Sequence, residues 1–241
     1  MISSPEGKIW FSNSCKTIGL EVSEQQLNQL EAFARAILKW NRKINLISRK
    51  DEANIWKVHI FQCASVLASL FIRNGSNIID IGTGGGFPGI PIKILQPDLQ
   101  LTLLDSIEKK TQAVGEIVSE LSLSGITVLR GRAEQVGQNL KQVDHFDYAI
   151  ARAVAPLKDL VRWSQPILWA RQNGDFETRE HPSRRSIPPP ALIAMKGGDL
   201  KEELSQLRGL KGIRSTQTIN LPTVDDSPKP NSDKKVVLIS F

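Results

Sequence analysis

Residues 77–92 read NIIDIGTGGGFPGIPI and gather in one stretch the residue types that let bare main chain approach a nucleotide-like ligand. Ile78, Ile79 and Ile81 are β-branched and apolar, suited to a strand covered on both faces. Gly82, Gly84, Gly85 and Gly86 end it abruptly, allowing a tight turn with no side chain between backbone and ligand. Gly84, Gly86 and Gly89 also spell the dinucleotide pattern GxGxxG, which would call for NAD or FAD. A pyrophosphate needs the free N–H groups of the next helix's first turn, whereas Pro88 and Pro91 remove two of them. A ligand without phosphate would not miss those donors. S-adenosylmethionine (SAM) is such a ligand, and Asp80, just before the glycines, is expected to face its amino group. A strand-to-helix turn that binds nothing is the remaining alternative.

Further chemistry sits at the ends of the later apolar runs. Residues 101–104 predict a second strand that stops at Asp105, 23 residues beyond Gly82, near the ~20 expected for an acidic side chain that takes ribose hydroxyls. Asp105 could also cap the helix announced by Ser106, Glu108, Lys109 and Lys110, and the two roles can coexist. Residues 126–129 predict a third strand, followed by Ala133 and Glu134 either beside the adenine end of the ligand or at a plain surface helix start. Residues 147–151 predict a fourth, delivering Arg152 as a cation for an acidic ligand group or as a rim ion pair. His59 reads more naturally as a hydrogen-bonded helix residue than as a catalyst. No Ser/His/Asp set is visible. Cys15 and Cys63 stand alone, and no metal-type cluster forms with His59, His145 or His181.

The elements that position these residues follow from periodicity. Ser23 with Gln26 makes a capping-box start, and Leu27, Leu30, Ala34, Ile37 and Leu38 recur at helical spacing up to about Trp40. Residues 1–22 are an arm or a short helix, and a second helical region is expected over 51–73, closed by Asn74 and Gly75. Residues 1–73 would thus form a helical subdomain and 74–241 the ligand-binding domain. Between the first helices, Arg42, Lys43, Arg49 and Lys50 surround apolar residues beside Trp40, fit for an RNA backbone and base or for a solvated basic turn. Strand and helix then alternate to residues 191–195 and Lys196, with a helix over 157–169 cut by Pro166. Residues 170–190 read as a protruding loop carrying Arg171, Arg179, Arg184 and Arg185. A helix over 201–207 and two helix-free strands, 211–221 and 234–241, close the chain as an antiparallel hairpin.

The 241 residues are 40% apolar, enough for one substantial core, and the net charge of +6 favours a polyanionic partner. Solitary cysteines and the lack of a signal peptide or bilayer-length apolar run imply a cytoplasmic protein with no membrane association.

Seven strands, five wound with helices and two in a hairpin, suit SAM-dependent methyltransferases better than dehydrogenases. The segments WNRKINLIS (40–48), IDIGTGGGFPGIPI (79–92), LLDSIEKK (103–110), GRAE (131–134), ARAVAPL (151–157) and AMKG (194–197), with His59, resemble the RsmG/GidB family of 16S rRNA guanine-N7 methyltransferases. The resemblance implies a Rossmann-like class I SAM-dependent methyltransferase with a seven-stranded, mostly parallel sheet. It implies methyl transfer to N7 of one guanine, number 527, in 16S ribosomal RNA. It also implies a small-subunit partner, cofactor contacts at Gly82, Phe87, Asp105, Ser106, Ile107, Ala133, Glu134 and Arg152, an orienting role for Arg152, and RNA contact extending to Lys196. A monomer is expected. Two features depart from the family pattern: Gln62 and Cys63 stand where an Asp-Ser pair is common, and 170–190 looks like an insertion. Two other functions remain on the page, a non-catalytic SAM- or nucleotide-binding regulator and a dinucleotide-dependent oxidoreductase.

Overall fold

A computed structural model describes residues 5–136, 146–168, 184–224 and 233–241. The N-terminal arm is helix α1 (Pro5–Thr17), and α2 (Glu24–Asn41) starts where the capping box placed it. Ser23 Oγ accepts from the Gln26 N–H at 3.2 Å, and Gln26 Oε1 accepts from the Ser23 N–H at 2.9 Å. The Gln26 amide also donates to the carbonyls of Ile94 and Leu95, so the cap ties α2 to the element that follows the glycine turn.

At the other end of α2, Asn41 organises the basic loop. It is 1% exposed, and its Oδ1 accepts from the N–H groups of Leu46 at 2.7 Å and Ile47 at 3.0 Å. Its Nδ2 donates to Glu52 at 2.6 Å. The chain continues as a 3-10 helix (Arg49–Asn54) and a π-helical turn (Trp56–Ile60) that runs into α3 (Phe61–Ser69). The helical region therefore stops before residue 73. Leu70 and Ile72 are buried while Phe71 is partly exposed, a period-two pattern, and the chain is extended there.

The strands are β1 (Leu70–Phe71), β2 (Asn77–Ile81), β3 (Gln100–Asp105), β4 (Ile126–Arg130), β5 (Tyr148–Arg152), β6 (Arg185–Ser186), β7 (Ala191–Gly197), β8 (Ser215–Asn220) and β9 (Lys234–Ser240). Seven of them form one sheet in the order β4-β3-β2-β5-β7-β9-β8. All neighbours are parallel up to β7, and β9 runs antiparallel to both β7 and β8. This is the mostly parallel sheet with a terminal hairpin that the sequence predicts. The order reverses between β2 and β5, so the carboxyl ends of these strands open a crevice.

Helices α4 (Gly89–Leu95), α5 (Glu108–Glu120), α6 (Ala133–Val136), α7 (Leu157–Ser164) and α8 (Lys201–Ser205) cover the sheet. Side chains alternate across β2: Ile78 joins one apolar cluster, Ile79 and Ile81 the other. The first cluster runs without a break from Phe11, Leu30, Phe33 and Ile37 to Phe87, Ile90, Leu103 and Val114. The expected division at residue 73 thus does not coincide with a gap in the core. Helix α7 ends at Ser164, ahead of Pro166.

Residues 184–190 correct the expectation of a protruding loop. β6 pairs in parallel with β1, Ile187 is 3% exposed, and its carbonyl accepts from the Tyr148 hydroxyl at 2.7 Å. Arg185 donates to Gln217 rather than reaching outward. Burial of Ile187 draws this end of the segment onto the sheet. Arg171 and Arg179 lie outside the described residues.

Asn41→Ala would strip two buried N–H groups of their acceptor and is expected to cost about 2–4 kcal/mol, against about 1 kcal/mol for Ser23→Ala. Urea denaturation of the three proteins measures both. Equal midpoints for Asn41→Ala and the unaltered chain would remove Asn41 as the organiser of the loop.

Candidate functional site

The glycine turn is built by close approach rather than by flexibility. Gly82 has φ +68°, and a Cβ there would lie 2.6 Å from Val154. Gly86 has φ +86°, and a Cβ would lie 2.5 Å from the Ile90 side chain. Any other residue at either position must force these neighbours apart while holding a left-handed backbone.

The turn's donors are directed inward. The N–H groups of Gly86 and Phe87 donate to the Thr83 carbonyl at 2.9 and 3.0 Å, and that of Ile90 to Gly86 at 2.8 Å. The Gly89 N–H, lying between the two prolines, donates to Asp80 Oδ2 at 3.0 Å. With these groups satisfied inside the protein, the start of α4 offers little to a pyrophosphate.

Asp80 is a correction to the sequence reading. It has no exposed surface, because it lies on the face of β2 that α4 covers. Its Oδ2 takes the Gly89 bond and a 2.7 Å bond from the Thr83 hydroxyl, while Oδ1 is buried without a partner among the described residues. Burial pushes its pKa up to about 6, opposed by those two bonds and by the charge of Arg152. Gly86 is a second correction: it is buried and lines neither hollow described below.

Asp105 is placed differently. The residue is 8% exposed and borders the crevice. Oδ2 accepts from the Gly84 N–H and Oδ1 from the Ile107 N–H, both at 2.9 Å. Each oxygen keeps a lone pair for a hydroxyl. The bond to Ile107, just before α5, gives Asp105 a structural role beside any contact with a ligand.

The first hollow, of about 470 Å³, is walled by Gly82, Asp105, Ser106, Ile107, Ala133 and Glu134. Ile107 is 48% exposed there, an apolar surface for a flat ring. Ser106 and Glu134 are exposed, and Glu134 lies 3.6 Å from Arg132. A carboxylate for the ribose, main chain at Gly82 and an apolar flank suit an adenosine without phosphate. SAM therefore fits the residues present.

The second hollow, of about 370 Å³, adjoins the first through Gly82, Lys110 and Ala153. Gly84, Phe87 and Arg152 border it from the sheet side. The Arg152 guanidinium lies 4.9 Å above the Phe87 ring, and Ala153 adopts φ +56° directly after it. A non-glycine residue in that conformation is strained, which is common where a side chain must be aimed. Asp51 and His59 also line it, with His59 Nε2 3.2 Å from Asp51 Oδ2 and the imidazole 5.2 Å from the Phe87 ring. Burial, with the cations Arg152 and Lys234, lowers the His59 pKa to about 4 against the pull of Asp51, so the imidazole is neutral at pH 7. Cys63, nearby in sequence, is fully buried; burial raises its thiol to about 12, well clear of a reactive thiolate.

Leu46, Ile47 and Ser48 of the basic loop line this second hollow. Arg42, Lys43, Arg49 and Lys50 are exposed, and the Lys43 ammonium lies 4.9 Å from the half-buried Trp40 ring. Lys196 is not part of that surface. Its ammonium donates to the Ala155 carbonyl and to Glu203, each at 2.7 Å, with only 13% of the side chain exposed. Glu203 also accepts from the Leu157 N–H, so Lys196 braces the turn after Arg152. Sequence reasoning missed Asp51, Lys110 and Lys234 around the hollow that Arg152 lines, since no motif links them; the start of β9 reaches it because β9 lies one strand beyond β5, across β7.

Residues 26–177 match the GidB family, described as rRNA small subunit methyltransferase G. The ribosomal RNA small subunit methyltransferase G of Alkaliphilus metalliredigens (strain QYMF) is 35% identical over 199 residues, 83% of this chain and 76% of its own. That of Bacteroides fragilis (strain YCH46) is 37% identical over 183 residues, 76% of this chain and 74% of its own. Among solved structures, MtNAS in complex with MTA and tNA aligns with a TM-score of 0.54 at 13% identity, covering 99% of this chain and 78% of that one. The fibrillarin/Nop5p complex aligns with a TM-score of 0.53 at 11% identity, covering 74% and 80%. Those structural likenesses are of fold, and the fold is that of class I SAM-dependent methyltransferases. With the match spanning α2 to β5 and every lining residue of both hollows except Lys234, the chain belongs to the GidB family of rRNA small subunit methyltransferases G.

Proposed function

We propose that this SAM-dependent rRNA small subunit methyltransferase places the methyl group on N7 of a guanine in 16S ribosomal RNA. The observation that carries the reading is the pair of adjoining hollows at the carboxyl ends of β2, β3 and β5. One has the carboxylate and bare main chain that suit adenosine; the other opens beneath a basic loop. Bound SAM supplies a methyl group on a sulfonium, a leaving group that needs no proton.

Guanine N7 has an in-plane lone pair and carries no proton, so the acceptor needs no general base either. The S–C bond breaks as the C–N7 bond forms, and the positive charge passes to the purine. What the protein must supply is alignment, with nucleophile and carbon held in line at ~3 Å, and exclusion of water. Asp105 holds the ribose, the main chain at Gly82 and Gly84 sets the depth, and Arg152, clamped on Phe87, orients an anionic group of SAM or RNA. A neutral His59 adds no further cation beside the purine. In A-form RNA the major-groove edge bearing N7 is deep and narrow, so the target is an unpaired or junction nucleotide. Trp40, Arg42, Lys43, Arg49 and Lys50 meet the surrounding backbone. The protein acts in the cytoplasm, as a monomer, and no helix among the described residues is long and apolar enough to cross a membrane.

Asp105→Asn should weaken SAM binding about tenfold or more, the scale of a charge-assisted hydrogen bond; titration calorimetry on the folded variant measures it, and an unchanged affinity would sink the ribose assignment. Arg152→Ala should depress methyl transfer to small-subunit particles that lack the modification. Arg152 loses its orienting role if tritiated-methyl incorporation and SAM affinity both survive. RNA affinity should fall steeply with salt, and replacing both Arg42 and Lys43 with alanine should reduce the log–log slope by about 1.4. A slope identical to that of the unaltered chain would move the RNA elsewhere.

A further inference from the structure

We infer that the second hollow, with its glycine-turn side at Phe87 and Arg152 left to the amino-acid end of SAM, also seats the acceptor base, where Asp51 and Gln62 read the Watson–Crick edge of the target guanine. The inference rests on the proposed N7 chemistry and adds to it the residues that select the base.

Gln62 gives the first reason. It is 9% exposed, lines the hollow, and its Nε2 is buried with no acceptor among the described residues. His59 Nδ1, on the same wall, is likewise buried without a partner. Buried polar groups are nearly always satisfied, so a wall carrying two that are not is shaped for a polar occupant. A volume of about 370 Å³ lies within the range of small-ligand sites, and the hollow adjoins the one that suits adenosine.

Asp51 gives the second. Its side chain is 32% exposed, and its Oδ2 faces His59 Nε2 at 3.2 Å. Facing a carboxylate, which can only accept, Nε2 is the ring nitrogen that donates; this fixes the carboxylate and, in the neutral imidazole, leaves Nδ1 as a lone pair. The carboxylate can only accept further bonds.

Guanine matches this wall in sequence of donors and acceptors. Its O6 and N1–H can pair with the two ends of a carboxamide, and its exocyclic N2–H can donate to a carboxylate. Adenine would set a C–H against that carboxylate. The Watson–Crick edge and the imidazole ring lie at opposite ends of the purine. A base gripped by Asp51 and Gln62 therefore directs N7 away from them, toward the Gly82–Ala153 junction with the first hollow. Methylation also makes the base cationic and its N1–H and N2–H stronger donors. A carboxylate at this edge holds the transition state more tightly than the ground state.

The test uses full-length protein and small-subunit particles assembled on 16S RNA carrying guanine, inosine or 2-aminopurine at the target position. Inosine lacks the exocyclic amine; 2-aminopurine lacks O6 and the N1 proton. The unaltered enzyme should favour guanine over each analogue by about tenfold or more in kcat/KM. Asp51→Ala should lose the preference over inosine, and Gln62→Leu the preference over 2-aminopurine, with SAM affinity within about threefold of the unaltered protein. If one variant does not fold, the other decides. A folded variant that discriminates as the unaltered enzyme does overturns the inference while leaving the N7 reading intact. No methyl incorporation by the unaltered enzyme on guanine particles, despite SAM binding, overturns both.

Discussion

A single buried carboxylate holds the glycine turn in shape from beneath. Asp80 Oδ2 collects the Thr83 hydroxyl and the Gly89 N–H, the two ends of the turn, and α4 seals it from water. The geometry above follows from this. Thr83 is drawn under the sheet edge, Gly84 is left with its N–H toward Asp105, and the donors of the first turn of α4 are spent internally. A loop that looks in sequence like a phosphate cradle is thereby converted into a wall of main chain beside the Asp105 carboxylate. The cost is a carboxylate in an apolar layer, visible as a pKa raised to about 6 by burial. Taking away either bond would leave that charge less compensated.

Neutrality of one imidazole limits how much positive charge lines the second hollow. Lys110, Arg152 and Lys234 already bring three positive charges to it. A protonated His59 would add a fourth, and burial together with Arg152 and Lys234 keeps it neutral. Asp51 is the acidic residue of the lining. The guanidinium lies 4.9 Å from the Phe87 ring centroid, and Phe87 is itself packed 5.0 Å from Phe33 and 5.2 Å from His59 between ring centroids, so the cation rests on an aromatic group drawn from three elements. On the proposed N7 chemistry this is positioning of charge without proton transfer, for a nucleophile that has no proton to lose.

Much of this was legible in the chain because local and global preferences agree. The Ser23 box, the alternation of strands and helices, and the spacing from Gly82 to Asp105 each have a backbone cause, and each lands within a few residues of its element. What sequence could not reveal was how far along its strand each carboxylate lies relative to the covering helix. Asp80 is the penultimate residue of β2 and Asp105 the last of β3, and both point to the same face of the sheet. Asp80, level with Leu103, sits under α4, whereas Asp105 lies two residues further along, past the end of β2 and at the open edge. Lys196 misled for a similar reason: a lysine after a strand looks free until Glu203, on the short helix beyond, is brought back beside it. Residues 184–190 look like loop by composition, yet one buried isoleucine and a tyrosine hydroxyl suffice to draw them onto the sheet.

The N-terminal helices deserve to be read as part of the site rather than as an appendage. α2 is fastened at its start by Gln26 to the end of α4, and in its middle by Phe33 to Phe87. At its end Asn41 folds the basic loop so that Leu46, Ile47 and Ser48 form part of the second hollow. A rigid connection therefore runs from the residue under Arg152 to the cations exposed for RNA. On the proposed function, an RNA backbone gripped at Arg42 and Lys43 would have its nucleotide delivered at a fixed offset from the Gly82 turn, since one continuous apolar cluster separates the two and leaves little room for independent movement. Selectivity for a single nucleotide in a long RNA would then come from geometry between the proposed backbone grip and base seat, with the cavity needing to recognise only a guanine.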